Sequence, residues 1–218
     1  MPYFSNDAIN LLFIHIPKTG GTSLEKYFSN KYSIDLDKNA LYEFISPEII
    51  EANNIQIDSS LQHLTYQTIL KYKDFFNISM DKLKIITIVR NPYNRLISDL
   101  FYLNKIEFDT SKEEVYSIIC IYLTSLHDNH SIPQYLFVTD ENKELIVNIN
   151  ILKTETLTRD MVNIGYVDFN IKTNSNKYDV NSNDYLNNDS IKLINGFYDY
   201  DFTLFGYEKI NIYETSLL

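Results

Sequence analysis

Two segments of the chain share one order of features, an apolar run followed by a polar loop and an amphipathic helix, and this constrains the fold most. Residues 11–16 (LLFIHI) and 84–89 (KIITIV) are nearly continuous apolar runs of strand length. Such runs are typical of parallel strands that are buried on both faces. We therefore predict a three-layer α/β fold, with a mostly parallel central sheet and helices on both of its faces.

The segment after each run has the composition of a helix start. Residues 18–23 (KTGGTS) supply a glycine turn and hydroxyl side chains that suit an N-cap, and residues 24–28 begin a helical pattern. After the second run, Asn91 suits an N-cap and Pro92 suits the first helical position, so a helix is predicted from there to about Leu103. Each unit thus reads as strand, loop and helix.

The remaining segments predict further elements of the same domain. Helices are expected at 46–52, 65–72, 112–125 and 157–162, a strand at 146–152, a polar surface loop at 170–188, and a final helix and turn at 191–206. No repeat or linker divides the 218 residues, and the 44% apolar composition can bury a sizeable core. We predict one domain over residues 1–218.

Charge and cysteine content restrict the class of function. A net charge of −10 argues against nucleic-acid binding, so any basic site must be local. The single cysteine, Cys120, excludes an internal disulfide and a cysteine-rich zinc site, which fits a reducing compartment. The run at 11–16 is too short for a signal peptide or a membrane span. We expect a soluble, cytoplasmic protein.

The two loops have the chemistry of anion sites. A glycine turn that leads into a helix directs backbone amides at an anion, and Lys18 adds a charge beside it. Lys18 precedes Gly20 and Gly21, however, whereas the Walker A pattern has its lysine after the second glycine. In the second unit, Arg90 and Ser98 can converge on another phosphate. Two phosphate sites at adjacent strand ends suit a nucleotide with both 5′ and 3′ phosphates.

At these two loops the chain resembles a known family. FIHIPKTGGTS (residues 13–23) is nearly identical to the 5′-phosphosulfate loop of PAPS-dependent sulfotransferases, especially the carbohydrate-modifying branch with the heparan sulfate 2-O- and 6-O-sulfotransferases. IVRNPYNRLIS (residues 88–98) resembles the 3′-phosphate motif of that family, in which arginine and serine are eight residues apart. Weaker likenesses are found in residues 130–136, 151–157 and 198–207.

The resemblance implies an enzyme that moves a sulfuryl group from PAPS (3′-phosphoadenosine 5′-phosphosulfate) to a carbohydrate hydroxyl, on a P-loop nucleotide-kinase-like fold. The product is 3′-phosphoadenosine 5′-phosphate. Lys18 is expected to stabilise the oxygen of the departing phosphate, and no metal is needed because cationic side chains and amides neutralise the donor. The expected donor-site residues are Lys18, Thr19, Gly20, Gly21, Thr22, Ser23, Arg90 and Ser98.

The acceptor hydroxyl must lose a proton, and histidine is the first candidate for the base. Of the four histidines, His63 best resembles the His-x-x-Tyr segment that lies between the two motifs in this family, and we predict it as the catalytic base. His15 lies within a buried run and is predicted to be structural. The roles of His130, Gln134 and Arg95 stay open at this point.

The acceptor is expected to be a neutral or short glycan or a glycolipid head group, because the acidic, short chain suits a sulfated polymer poorly. We expect no N-terminal anchor, unlike in the Golgi relatives, and therefore a bacterial or viral setting. Two alternatives stay open. One is a small-molecule kinase, which would need Mg²⁺ and a Walker lysine, and the other is an inactive nucleotide- or glycan-binding module of the same fold.

Overall fold

The computed structural model describes residues 2–36, 47–125, 127–170 and 180–212. They form an α/β structure around a four-stranded sheet. The strands lie side by side in the same order as in the sequence. They are β1 (Tyr3–Asn6), β2 (Ile9–Ile14), β3 (Lys84–Val89) and β4 (Ile149–Lys153). β1 pairs antiparallel with β2, whereas β2, β3 and β4 are parallel. The mostly parallel sheet is confirmed; the short edge strand β1 was not predicted.

Helices flank this sheet and connect its strands. Among the described residues they are α1 (Gly21–Tyr32), α2 (Pro47–Asn53), α3 (Tyr66–Lys71), α4 (Pro92–Tyr102), α5 (Lys112–Tyr122), α6 (Tyr135–Val138), α7 (Leu157–Asn163), α8 (Asn188–Phe197) and α9 (Asp199–Phe205). Short 3₁₀ turns occupy Leu61–His63, His127–Asn129, Thr154–Thr156 and Ser182–Asp184. No helix in this described part is long and apolar enough to cross a membrane.

Both faces of the sheet are covered, which explains why β2 is continuously apolar. Leu11 and Phe13 are fully buried on the face that packs against α1 and α7. Leu12 and Ile14 are fully buried on the opposite face, against α3, α6 and α9. Successive strand residues point to opposite faces, so a strand with two covered faces needs an apolar residue at every position. Each such side chain contributes about 1.5–3 kcal/mol when buried.

The predicted helix boundaries shift by a few residues, and one predicted cap is wrong. Helix α1 begins at Gly21, with Gly20 as the N-cap at φ 89° and without a side-chain cap bond, so neither Thr22 nor Ser23 caps it. Glycine is the residue that adopts this left-handed conformation without strain. Asn91 does cap α4, where its side chain accepts hydrogen bonds from the amides of Tyr93 and Asn94. Ser46, the predicted start of α2, lies outside the described residues.

The predicted polar loop at 170–188 is a loop with a short 3₁₀ turn over residues 180–187, but it does not lie wholly on the surface. Residues 171–179 lie outside the described part, but Tyr185 and Leu186 are buried in a helical core cluster formed by α4, α5, α8 and α9. In the sequence, Tyr185 and Leu186 are surrounded by Asn, Ser and Asp, so composition alone does not indicate that they are buried. The predicted final helix is also divided, because α8 ends at Phe197 and α9 begins at Asp199.

Candidate functional site

A cavity of about 300 Å³ lies at the carboxyl ends of β2 and β3, where open α/β sheets bind ligands. The loops after both strands line it, together with the 3₁₀ turn Leu61–His63 and the end of α4. Of the residues predicted from sequence, the structure brings eight to this cavity: Lys18, Gly20, Gly21, Thr22, Ser23, His63, Arg90 and Ser98. Thr19 does not line it, since its buried hydroxyl donates to the Ile16 carbonyl at 2.8 Å.

The glycine turn at the start of α1 is shaped by close packing. A Cβ on Gly21 would lie 2.5 Å from Nε2 of His15, so a side chain there collides with the imidazole. That ring cannot easily move, because its Nδ1 lies 2.5 Å from a carboxylate oxygen of the fully buried Glu25. His15 therefore packs against the turn, and it also lines the cavity. The first amides of a helix have no intrahelical acceptor, so this end of α1 suits an anion.

Lys18 and Arg90 bring positive charge from the two strand ends to one place. Arg90 Nη1 donates to the Lys18 carbonyl at 3.1 Å, and Lys18 Nζ lies 3.8 Å from the centre of the Tyr102 ring. Burial lowers the pKa of Lys18; Asp99 opposes this effect and Arg90 adds to it. Within the described part of the chain neither cation forms a salt bridge. A half-buried cation without a salt-bridge partner favours an anionic ligand.

The backbone of Arg90 is fixed by Gln134. The Gln134 side chain accepts a hydrogen bond from the Arg90 amide and donates one to the Arg90 carbonyl, each at 2.9 Å. Gln134 is fully buried and does not line the cavity, and its own amide donates to Asp201. Gln134 is therefore a structural support for the strand end. For the side chain of Arg90, burial lowers the pKa, while Glu155 and Tyr207 oppose this effect.

Arg95 has a structural role rather than a place in the cavity. Its guanidinium is buried and donates to three backbone carbonyls, those of Pro17 at 3.1 Å, Ile132 at 3.0 Å and His130 at 2.7 Å. These bonds join the loop after β2 to the segment that precedes α6. Thr154 makes a similar connection at the other side, since its hydroxyl donates to the Thr19 carbonyl at 2.6 Å and lies 3.2 Å from the Val89 carbonyl.

His63 is buried at the cavity wall with one ring nitrogen engaged. Its Nδ1 lies 2.8 Å from Oδ2 of Asp128 and 3.3 Å from the Ser60 hydroxyl. Burial lowers the pKa of His63 to about 4; the hydrogen bond with Asp128 opposes this effect, and His15 and His130 add to it. Burial raises the pKa of Asp128, but hydrogen bonds from His63 and Ser60 outweigh this and lower it to about 2. At neutral pH His63 is neutral and Asp128 is ionised.

His130 connects this cluster to Asp99 of α4. Its Nδ1 lies 2.8 Å from Asp99, which also accepts a hydrogen bond from Tyr122, and its Nε2 lies 3.8 Å from Asp128. One atom from each of His63, Asp128 and His130 lies within 4.8 Å of the others, and imidazole and carboxylate are ligands for zinc. The two 2.8 Å contacts, however, have the length of ordinary hydrogen bonds.

Sequence reasoning missed several residues at the site. The ring of Tyr102, 58% exposed, stands at the cavity rim where α4 ends, and Gln62 links His15 with Glu25. Asp128 gave no sequence signal, because it lies in a polar segment 65 positions from the histidine that it contacts. Thr154 lies in a segment with a weak family likeness, which could have singled it out.

The geometry agrees with the comparison with protein families. A model described as the sulfotransferase family matches residues 1–208, which include both loops of the cavity and the segment that carries His63. Comparisons with curated proteins and with solved structures gave no match. Because the family model covers nearly the whole sequence, the chain belongs to the sulfotransferase family and is a sulfotransferase enzyme.

Proposed function

We propose that this sulfotransferase moves a sulfuryl group from PAPS to a hydroxyl of a carbohydrate-type acceptor and releases 3′-phosphoadenosine 5′-phosphate. The observation that carries the proposal is the convergence of Lys18 and Arg90, from two adjacent parallel strands, on one cavity. Neither cation has a salt-bridge partner among the described residues. A donor with charged groups at both its 5′ and 3′ positions matches two cationic loops better than a donor with a 5′ group alone.

The finer fold assignment that we propose is P-loop nucleotide-kinase-like. Strand β2, the turn at Gly20 and helix α1 form a strand–loop–helix unit whose helix N-terminus borders the cavity. The parallel neighbour β3 carries the second cation at the same edge of the sheet. This arrangement supports a nucleotide phosphate site at the carboxyl ends of the strands.

In the proposed donor complex, the phosphosulfate contacts Lys18 and the amides of residues 20–22, since the Ser23 amide donates to the Gly20 carbonyl at 3.1 Å. The 3′ phosphate lies between Arg90 and Ser98, which both line the cavity. Thr19, whose side chain is buried, acts by shaping the loop. These cations and amides supply the neutralisation that other phosphate-binding enzymes obtain from Mg²⁺, so the proposal needs no divalent cation.

The proposed reaction is an in-line displacement at sulfur. The acceptor oxygen forms a bond to sulfur while the bond between sulfur and the bridging phosphate oxygen breaks, and its electron pair stays on that oxygen. Lys18 neutralises the charge that develops there. His63 takes the hydroxyl proton at Nε2, which it can do because its imidazole is neutral at neutral pH.

The acceptor that we propose is a neutral or short glycan, or a glycolipid head group. The net charge of −10 disfavours a polyanionic polymer. Tyr102 presents an exposed aromatic ring at the rim, which can contact a sugar ring.

Sulfur-labelled PAPS tests this function when it is incubated with neutral oligosaccharides, glycolipids and heparan-type polymers, with and without a chelator. We expect label on a neutral carbohydrate, and a rate that EDTA leaves unchanged. Phosphoryl transfer from ATP that requires Mg²⁺ would instead favour the kinase alternative. Tight binding of donor with no transfer to any acceptor would favour an inactive binding module.

A further inference from the structure

We propose that Asp128 is the positioning residue for the histidine base: it holds His63 in the tautomer whose Nε2 is free to receive the acceptor proton. The inference rests on the proposed role of His63 and adds a residue that acts through it. Asp128 belongs to the 3₁₀ turn His127–Asn129, which lies far from His63 in sequence and directly beside it in space.

Both oxygens of Asp128 are committed to the segment that carries the base. Oδ1 accepts a hydrogen bond from the Ser60 amide at 2.6 Å, and Oδ2 contacts His63 Nδ1 at 2.8 Å and the Ser60 hydroxyl at 3.1 Å. The neighbouring Asn129 side chain donates to the His63 carbonyl at 2.9 Å. The turn His127–Asn129 therefore contacts both the backbone of Ser60 and His63 and the ring of His63.

This contact determines which ring nitrogen carries the proton. An ionised carboxylate only accepts hydrogen bonds, so the proton of neutral His63 must be on Nδ1. Nε2 then has a free lone pair, and within the described part of the chain no protein group hydrogen-bonds it. After proton transfer the same carboxylate stabilises the imidazolium. An aspartate in this position fixes tautomer and orientation without itself becoming protonated.

Other features close to His63 do not duplicate this function. The rings of His15 and His130 meet it edge to face, with centroids 5.4 Å and 4.9 Å away. Neither offers a carboxylate to Nδ1, and the Ser60 hydroxyl at 3.3 Å is a longer contact. Asp128 itself has φ 47° and ψ 36°, a left-handed conformation that is uncommon outside glycine but is accepted by Asp and Asn.

Asp128→Asn is the informative variant, because asparagine tolerates the same backbone conformation. The Ser60 amide is a donor, so the new amide oxygen must occupy the Oδ1 position. The NH₂ group then faces His63 Nδ1 and donates to it, which forces the proton onto Nε2. We expect transfer to fall by up to about 10⁴-fold, the loss that the wrong tautomer causes in a hydrolase triad. The matched control, Asp184→Asn in another 3₁₀ turn, removes an exposed carboxylate and should leave the rate unchanged.

The test combines nitrogen NMR of the His63 ring with rates of His63→Ala, Asp128→Asn and the double variant. We expect Nδ1–H in the wild type, Nε2–H in Asp128→Asn, and no further loss when Asp128→Asn is added to His63→Ala. Nε2–H in the wild type, or equal losses in both backgrounds, would overturn the inference. A normal rate in Asp128→Asn with loss in His63→Ala overturns this inference alone, whereas a normal rate in His63→Ala overturns the proposed base.

Discussion

Replacement of His63 by alanine is expected to lower the rate of sulfuryl transfer about 10²- to 10⁴-fold, the usual contribution of general-base catalysis. Affinity for 3′-phosphoadenosine 5′-phosphate should stay within a few-fold, because the proposed donor contacts come from the two loops and not from His63. Steady-state kinetics on the labelled donor, together with calorimetry on the product nucleotide, measure both quantities.

The pH dependence identifies the mechanism of this loss. Burial lowers the pKa of His63 to about 4, so in the free enzyme Nε2 is available above that pH and is blocked by a proton below it. kcat/KM should therefore decline on the acid side only near pH 4, and this decline should disappear in the variant. Added imidazole should restore part of the rate. His127→Ala, which changes an exposed histidine of the adjoining turn, is the control. An unchanged rate in His63→Ala would contradict the assignment of the base.

Replacement of Lys18 by methionine is expected to lower kcat about 10²- to 10³-fold, as removal of a group that stabilises developing charge does. Methionine keeps the length of the side chain and removes its charge. Lys18 lies over the Tyr102 ring, a contact worth about 0.5–2 kcal/mol, which contacts with a bound donor can replace. If Lys18 acts mainly in the transition state, kcat and kcat/KM should fall together.

Lys26→Met is the matched control, since Lys26 lines the same cavity from the next turn of α1. Loss of its charge should raise KM and leave kcat within a few-fold. A similar fall in kcat for both variants would show that only the overall charge of the cavity matters, and would contradict a specific role for Lys18.

The sequence was most informative where one segment specifies both an element and its chemistry. Residues 11–23 and 84–98 contain their strand, loop and helix start in continuous order, and the structure brings seven of their eight predicted donor-site residues to one cavity. Local patterns suffice there because a buried parallel strand needs an apolar residue at each position and a phosphate loop needs glycine at its turn.

The sequence was least informative where function depends on contacts between distant segments. The bond from Asp128 to His63, the three carbonyls that hold Arg95 and the link made by Thr154 exist only after the chain has folded. Arg95 resembles a ligand-binding arginine in sequence, yet its guanidinium is buried among backbone acceptors. Tyr185 and Leu186 show the same limitation for the fold, because a short apolar pair in a polar segment gives no periodic signal.

The most direct test of the donor assignment is a calorimetric titration of 3′-phosphoadenosine 5′-phosphate, AMP and Mg²⁺-free ATP into the wild-type enzyme and Arg90→Ala. Charge-assisted hydrogen bonds to the 3′ phosphate are worth about 1.5–3 kcal/mol, so the 3′-phosphorylated ligand should bind at least about tenfold more tightly than AMP. Arg90→Ala should remove that preference and leave AMP affinity nearly unchanged. Equal affinity for the three nucleotides in the wild type, or a preference that survives in Arg90→Ala, would contradict the account.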